Sequence, residues 1–325
     1  MRIESPSGSA PSRTLVAASI SVVIVIWSVN FIAAKIGLRS LPTMTMASFR
    51  VVLAGVVMLP AYLLCSRLSA FAEPAETRRR GFNRRDLWTF LYLGFFGVTV
   101  NQVCFTVGLR LTSVSHASVI VGMGPIYTLA LAVLLRLEKV TLRKATGMAV
   151  AFAGIAVMAS ENGITAHSPS LLGDAITLAG SIGFAIYVVL GKRVAGRYDA
   201  LTMTTFSHFA GALIVLPMAI RRAVALGPAQ NWRAIPWSAW AALLYMAIFS
   251  SAVAYILYYW LLRHLEASQL AAFSYLLPVL ATILGIVWLG EKGSWGQLLG
   301  GALALSGVYW IESARASATR TSVVS

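Results

Sequence analysis

Acidic side chains are scarce in this 325-residue sequence: Asp and Glu together number 11, and none lies deep inside any of the long apolar runs. Cysteine is almost absent, and both copies, Cys65 and Cys104, fall in or at the end of apolar stretches where a thiol is usually a small buried hydrophobe. A disulfide framework and a thiolate metal site are therefore ruled out as organising features, and no metal ligand set is expected. Charge of either sign amounts to only 11% of the residues, against 58% hydrophobic. Soluble enzymes and nucleic-acid binders need a charged, solvated exterior, so both classes are excluded. No nucleic-acid partner is expected despite the net charge of +15.

What is present instead is a succession of apolar runs near 20 residues long, the length that carries a helix across a bilayer. Breaks between them place ten candidate helices near 14–38, 42–65, 87–110, 112–135, 142–160, 171–193, 201–220, 237–262, 266–289 and 294–312. The runs are continuous rather than alternating, which selects helices over barrel strands. The fold class is thus an all-α polytopic membrane protein whose solvent is the lipid bilayer. Residues 1–13 read as a disordered, cytoplasmic N-terminal segment and 314–325 as a cytoplasmic tail. The first apolar run exceeds the roughly 7–15 residues of a signal-peptide core, so it is read as a retained span.

Lys and Arg set the orientation. With a cytoplasmic N-terminus, eighteen of the 26 fall on the inside, six of them at Arg67, Arg78, Arg79, Arg80, Arg84 and Arg85. Seven fall outside, and Arg50 stays within a helix. Arg221, Arg222 and Arg233, between the seventh and eighth helices, lie against the trend. Both termini are therefore expected on the cytoplasmic face of a cell, or inner, membrane.

Self-comparison uncovers a repeat. Thr45-Met46 and Phe49 match Thr202-Met203 and Phe206 at a displacement of 157, which also superimposes Leu59-Pro60 on Leu216-Pro217 and Lys35 on Lys192. Beyond the basic loop the displacement becomes 153, aligning Arg110 with Arg263, Pro125 with Pro278, Glu138-Lys139 with Glu291-Lys292, Gly147 with Gly300 and Gly154 with Gly307. The halves are 14–160 and 171–313. Five helices is an odd number, so the second copy enters from the opposite side, giving two inverted five-helix repeats. Inverted repeats point to alternating access around a site at the midplane.

Trp27-Ser28-Val29-Asn30-Phe31 with Lys35, Arg50 with Leu59-Pro60, Gly97-Val98-Thr99-Val100-Asn101-Gln102, and Leu111-Thr112-Ser113 leading to Pro125 and Glu138 resemble the EamA-type carriers of the drug/metabolite transporter superfamily. The resemblance spans about 14–313 and rests on the order and spacing of motifs that are individually short. It implies a ten-helix carrier or exporter of small polar metabolites such as amino acids. In the second half Phe184 and Tyr187 replace Trp27 and Asn30, and Ser207 replaces Arg50, so the two halves of a central cavity are chemically unequal.

Polar groups inside apolar helices are costly and need a reason. Asn30 lies on the face of Trp27, positioned to meet a substrate or to bond a neighbouring helix. Asn101 and Gln102 point about 100° apart, so one is expected in the lumen and the other between helices. His116 and His208 are candidates for proton exchange, with a bond to a neighbouring carbonyl as the competing role. With no carboxylate relay within the spans, facilitated exchange or diffusion is favoured over tight proton coupling. Tyr255 and Tyr258 belong to a stripe at helical spacing, and Tyr187 and Ser274 extend the same wall. Arg50 either anchors a substrate carboxylate or snorkels to carbonyl groups. Pro125 and Pro278 are the hinge candidates. Recurrent Gly147, Gly154, Gly300 and Gly307 suit close helix packing or a homodimer face.

The expected function is a secondary carrier of amino acids or similar zwitterionic or neutral solutes, without a cofactor. An integral-membrane lipid or acyl transferase is the rival, but no His/acid pair, metal set or phosphate loop at catalytic spacing supports it. Single cysteines introduced into 66–86 of a cysteine-free background should react with an impermeant maleimide only from the cytoplasmic side, and those in 161–170 only from outside. The opposite labelling refutes the orientation.

Overall fold

The computed structural model describes residues 11–65, 83–111, 117, 120–161, 171–227, 232–277, 279–280, 283–284, 295–296, 299–307 and 309–310. Among them the regular structure is helical, with no strand. We number the helices α1 (Arg13–Gly37), α2 (Thr43–Cys65), α3 (Arg84–Leu111), α4 (Gly124–Leu134), α5 (Leu142–Glu161), α6 (Leu171–Val194), α7 (Ala200–Leu226), α8 (Trp237–His264), α9 (Ala267–Ala272) and α10 (299–307). Six of these, α1, α2, α3, α6, α7 and α8, are long and apolar enough to cross a membrane. The chain is therefore a multi-pass membrane protein. The fourth candidate span is described as a shorter apolar helix, Ile120–Leu134, and α5 is a continuous 20-residue helix carrying Arg143, Lys144 and Glu161 towards its ends. The ninth and tenth are described only in part.

Polar residues set the ends. The Ser12 hydroxyl accepts from Leu15 N at 3.2 Å to start α1, and Asp199 accepts from Leu201 N and Thr202 N at 2.8 and 2.9 Å to start α7. The Asp86 carboxylate accepts from Asn83 N at 2.7 Å at the start of α3. Gly227, with φ 73°, closes α7 in the left-handed region.

The bounds repeat at the displacements found in the sequence. Arg84–Leu111 and Trp237–His264 differ by 153 at both ends, and Thr43 and Ala200 open their helices 157 apart. Pro60 and Pro217 both lie inside their helices at matched places. Both α3 and α8 carry a π-helical segment, Gly94–Val100 and Met246–Val253, again about 153 apart.

Packing follows the same reciprocity. Helices α2 and α7 pack along much of their length; α3 lies on α6 and α7, and α8 on α1 and α2. A Cβ added to Gly154 would lie 2.4–2.9 Å from the backbones of Gly300 and Ala304, and one on Gly307 would lie 2.5–2.8 Å from those of Gly147 and Ala151. The glycine stripe thus joins α5 to α10 within one chain, the close-packing role expected of it. Large side chains such as Leu64, Leu134, Val224 and Trp295 remain exposed on the outside, where lipid is their solvent.

Because the Gly154 and Gly307 contacts are to backbone, neither can yield by a rotamer change. Gly154→Val or Gly307→Val should lower thermal stability in detergent by about 1–3 kcal/mol, the usual cost of overpacking. Valine at Gly124, where an added Cβ meets nothing within 4 Å, is the control. Equal melting temperatures for all three variants contradict the packing.

Candidate functional site

A cavity of about 100 Å³ lies at the centre of the bundle. Its wall comes from α1 (Trp27, Asn30, Phe31), α3 (Asn101, Gln102, Phe105), α6 (Thr177, Gly180, Ser181, Phe184) and α8 (Ser250, Tyr255), with Arg50 from α2. The stretch leading into and through α4 contributes Val121, Gly124 and Thr128, and α9 with its continuation contributes Ala271, Ser274 and Leu277. Of the sequence candidates, Trp27, Asn30, Arg50, Asn101, Tyr255 and Ser274 meet here.

Several of the polar side chains are held by their neighbours. Trp27 Nε1 donates to Ser250 O at 3.1 Å. Asn101 Nδ2 donates to Gly180 O at 3.1 Å, while the Tyr255 hydroxyl donates to Gly97 O at 2.8 Å and lies 3.2 Å from Asn101 Oδ1. Arg50 Nε donates to Ser251 Oγ at 3.0 Å and Nη2 to Ser250 Oγ at 3.2 Å. Ser251 Oγ in turn lies 3.0 Å from Gln102 Oε1 and 2.9 Å from the carbonyl of Met246, five residues back, in the register of the π segment. Trp27, Phe184 and Tyr255 meet edge to face, with centroids 5.6–6.1 Å apart.

Asn101 and Gln102 both reach the wall, contrary to the expected division. The reason is angular: Phe105 projects between them, so the cavity spans the whole arc of α3 that separates them, and each amide also bonds a neighbouring helix.

Three candidates lie elsewhere. Tyr187 is packed edge-on over Gly97, whose added Cβ would come within 2.3 Å of the ring, and Tyr258 is tilted against Trp27 at 5.2 Å. Both are buried between helices rather than on the wall. His208 is fully buried; its Nδ1 lies 2.9 Å from Thr204 O, which can only accept, so that nitrogen carries the proton. The edge-to-face ring of Tyr255, 4.8 Å away, separates it from the cavity. Pro125 does not kink a continuous helix. It occupies the first turn of α4, just after a turn at Met123, where the missing N–H has no intrahelical partner to lose. His116 and Pro278 lie outside the described residues, as do Glu291 and Lys292.

The wall residues Phe31, Phe105, Thr177, Ser181 and Phe184 were not singled out from the sequence as site residues. Phe184 and Phe105 could have been found as the displacement partners of Trp27 and Tyr258, but those of Phe31, Thr177 and Ser181 are Val188, Ile20 and Ile24, which carry no such signal.

A second gap, of about 10 Å³, adjoins the cavity at Trp27, Ser274 and Leu277. Of the ten residues that line it, Ile20, Val23, Ile24, Trp27, Tyr258, Ser274 and Leu277 correspond at the displacements of 157 and 153 to Thr177, Gly180, Ser181, Phe184, Phe105, Val121 and Gly124 of the cavity wall, whereas Leu261, Leu270 and Phe273 have no such partner there.

The EamA-like transporter family model matches residues 14–160 and again 171–313. The chain belongs to this family. This EamA-like chain is 27% identical over 292 residues to an uncharacterized transporter of Archaeoglobus fulgidus, covering 89% of this chain and 94% of that one. It is also 27% identical over 290 residues to a probable terminal-alkyne amino-acid exporter of Streptantibioticus cattleyicolor, covering 89% and 90%. A crystal structure of another protein superposes with a TM-score of 0.71 at 19% identity, over 93% of this chain and 99% of that one, a likeness of fold. Family and relatives make the protein a transporter rather than an enzyme.

The gap side of this EamA-like bundle is tied by polar contacts. Lys192 Nζ donates to Leu262 O and Leu265 O at 2.7 and 2.6 Å at the end of α8. Glu138, after α4, accepts from Ser268 N at 3.1 Å, from the Ser268 hydroxyl, and from Lys144 Nζ at 3.0 Å, and Lys144 also reaches Glu266. Burial pushes the Glu138 carboxyl up, but the Ser268 and Lys144 bonds outweigh it and hold it below its ordinary value. A depressed carboxylate stabilises the fold fully above its unfolded-state value, and the contribution fades as pH falls through the folded-state value. The melting temperature should therefore drop on acidification from neutrality to below pH 4.5, and Glu138→Gln should flatten that drop. An unchanged acid limb in the variant removes Glu138 from this role.

Proposed function

We propose that this protein is a secondary carrier, working as an exporter of small polar metabolites, in the first place amino acids or comparable zwitterionic or neutral solutes. It acts by alternating access across the inner membrane, with both termini in the cytoplasm. In this reading ten helices form two inverted halves, and the turn at Met123–Pro125 is a hinge within the fourth span of the first half. The observation that carries the reading is the pairing of the open wall with the closed gap. Seven residues on one side of the bundle are the displacement partners of seven on the other, so exchanging the conformations of the halves closes the first and opens the second. Reciprocal seating of Gly154 and Gly307 supports a two-fold relation between the halves.

The solute class rests on the wall itself. Amide, hydroxyl and indole groups offer directional hydrogen bonds, the rings offer apolar surface, and among the described residues a single guanidinium is the only fixed charge on the wall. A phosphate ester would require more counter-charge than one arginine supplies. The name of the Streptantibioticus relative, an amino-acid exporter, is consistent with this choice.

The test is counterflow in proteoliposomes: vesicles loaded with one unlabelled neutral L-amino acid should accumulate the labelled form without converting it. Asn30→Ala should lower the rate about fivefold, the worth of one neutral hydrogen bond, at equal protein content. Faster exchange of sugar phosphates or nucleotides than of amino acids overturns the proposal.

A further inference from the structure

Arg50 is a cation without a counter-ion. It is only 4% exposed, and its Nε and Nη2 bond neutral hydroxyls while Nη1 has no partner. No carboxylate among the described residues pairs with it, whereas the half-buried Lys144 meets two. Next to it stands a second unsatisfied donor. Gln102 is 1% exposed, its Oε1 is engaged by Ser251, and its Nε2 has no partner. Both side chains line the cavity and are tied together through Ser251. A desolvated guanidinium that keeps its charge costs several kcal/mol unless an anion answers it, and an orphaned amide adds to that cost.

Building on the carrier reading, we infer that the cavity takes the carboxylate group of its solute on Arg50 Nη1 and Gln102 Nε2, and that this group, not the amine, is the required handle. A carboxylate brings one negative charge and two acceptor oxygens, one for the unbonded Arg50 Nη1 and one for Gln102 Nε2, which otherwise has the neutral Tyr255 hydroxyl beside it. A carboxamide brings one acceptor oxygen and no charge, and an amine brings neither. Nothing equivalent awaits an ammonium: no Asp or Glu is on the wall, and the unpartnered acceptor there is the neutral Asn30 Oδ1. The remaining surface is aromatic, with Phe31 and Phe105 edge to face at 5.2 Å beside Trp27 and Phe184. The solute class is therefore a monocarboxylate with a compact apolar body, on which the amino group is optional.

The neutral L-amino acid giving the strongest counterflow serves as the reference, challenged with its deamino carboxylic acid, its carboxamide and its decarboxylated amine. The deamino acid should compete within about threefold of the parent, and the amide and amine should be weaker by about tenfold or more, the worth of a charge-assisted hydrogen bond. Arg50→Gln should level the series, and Arg50→Lys should restore part of the preference for the acid. An amide or amine that competes as well as the parent in the wild-type protein overturns the inference while leaving the carrier intact. If Arg50→Gln does not fold, the wild-type series decides alone. If no amino acid gives counterflow, the amino-acid reading falls. The inference is then judged by thermal stabilisation of the solubilised protein with propionate and benzoate against propionamide and benzamide: stabilisation by the acids only upholds it, and equal shifts overturn it.

Discussion

Backbone-to-backbone contact between helices is the constraint from which the rest of this bundle follows. Lipid tails are as apolar as leucine, so hydrophobicity cannot press one helix on another, and association relies on close van der Waals approach. Glycine supplies it. Gly94 sits on the carbonyl of Ser207 and the nitrogen of Gly211, Gly55 on Ala212, and Gly183 on the carbonyl of Phe96. These seats bring α3 onto α7, α2 onto α7, and α6 onto α3. Where the small residues give way to Trp27, Phe31, Phe105, Phe184 and Tyr255, the same helices are held apart, and the space between them is the cavity.

The two π-helical segments belong to the same economy. In Gly94–Val100 the backbone passes close to α7, and in Met246–Val253 the wider turn leaves a carbonyl, that of Met246, for the Ser251 hydroxyl. Ser251 then orients both Arg50 and Gln102. A π-helical stretch thus positions the polar end of the cavity, a use for which such segments are known.

The spans and the displacements of 157 and 153 were legible in the sequence because both are linear properties: an apolar run declares itself by length, and a repeat by register. The helices that supply the wall followed from the repeat. The individual wall residues followed less well, because a helix that is apolar nearly all round carries no marker of its rotational phase. Trp27 and Asn30 reach the lumen, but their displacement partners Phe184 and Tyr187 divide, Phe184 on the wall and Tyr187 over Gly97. Tyr255 and Tyr258, three residues apart on one stripe, likewise fall on either side of Trp27. Pro125 read as a kink because the run around it is unbroken, whereas the turn at Met123 lets it begin a helix instead. His208 carried the chemistry of a proton carrier, yet the carbonyl of Thr204 and the ring of Tyr255 enclose it.

Seven of the gap residues have displacement partners on the open wall, but the two sets differ in chemistry. Thr177, Gly180 and Ser181 face the cavity where Ile20, Val23 and Ile24 face the gap. Water can enter the first at little cost, whereas each roughly 100 Å² of aliphatic surface wetted in opening the second disfavours that arrangement by about 2.5 kcal/mol, a factor of about 70 in population. On the alternating-access reading proposed above, a carrier built this way would not idle evenly between its two faces: it would wait with the hydroxyl-lined cavity open, and the aliphatic face would act as a spring that re-closes once its passenger has left.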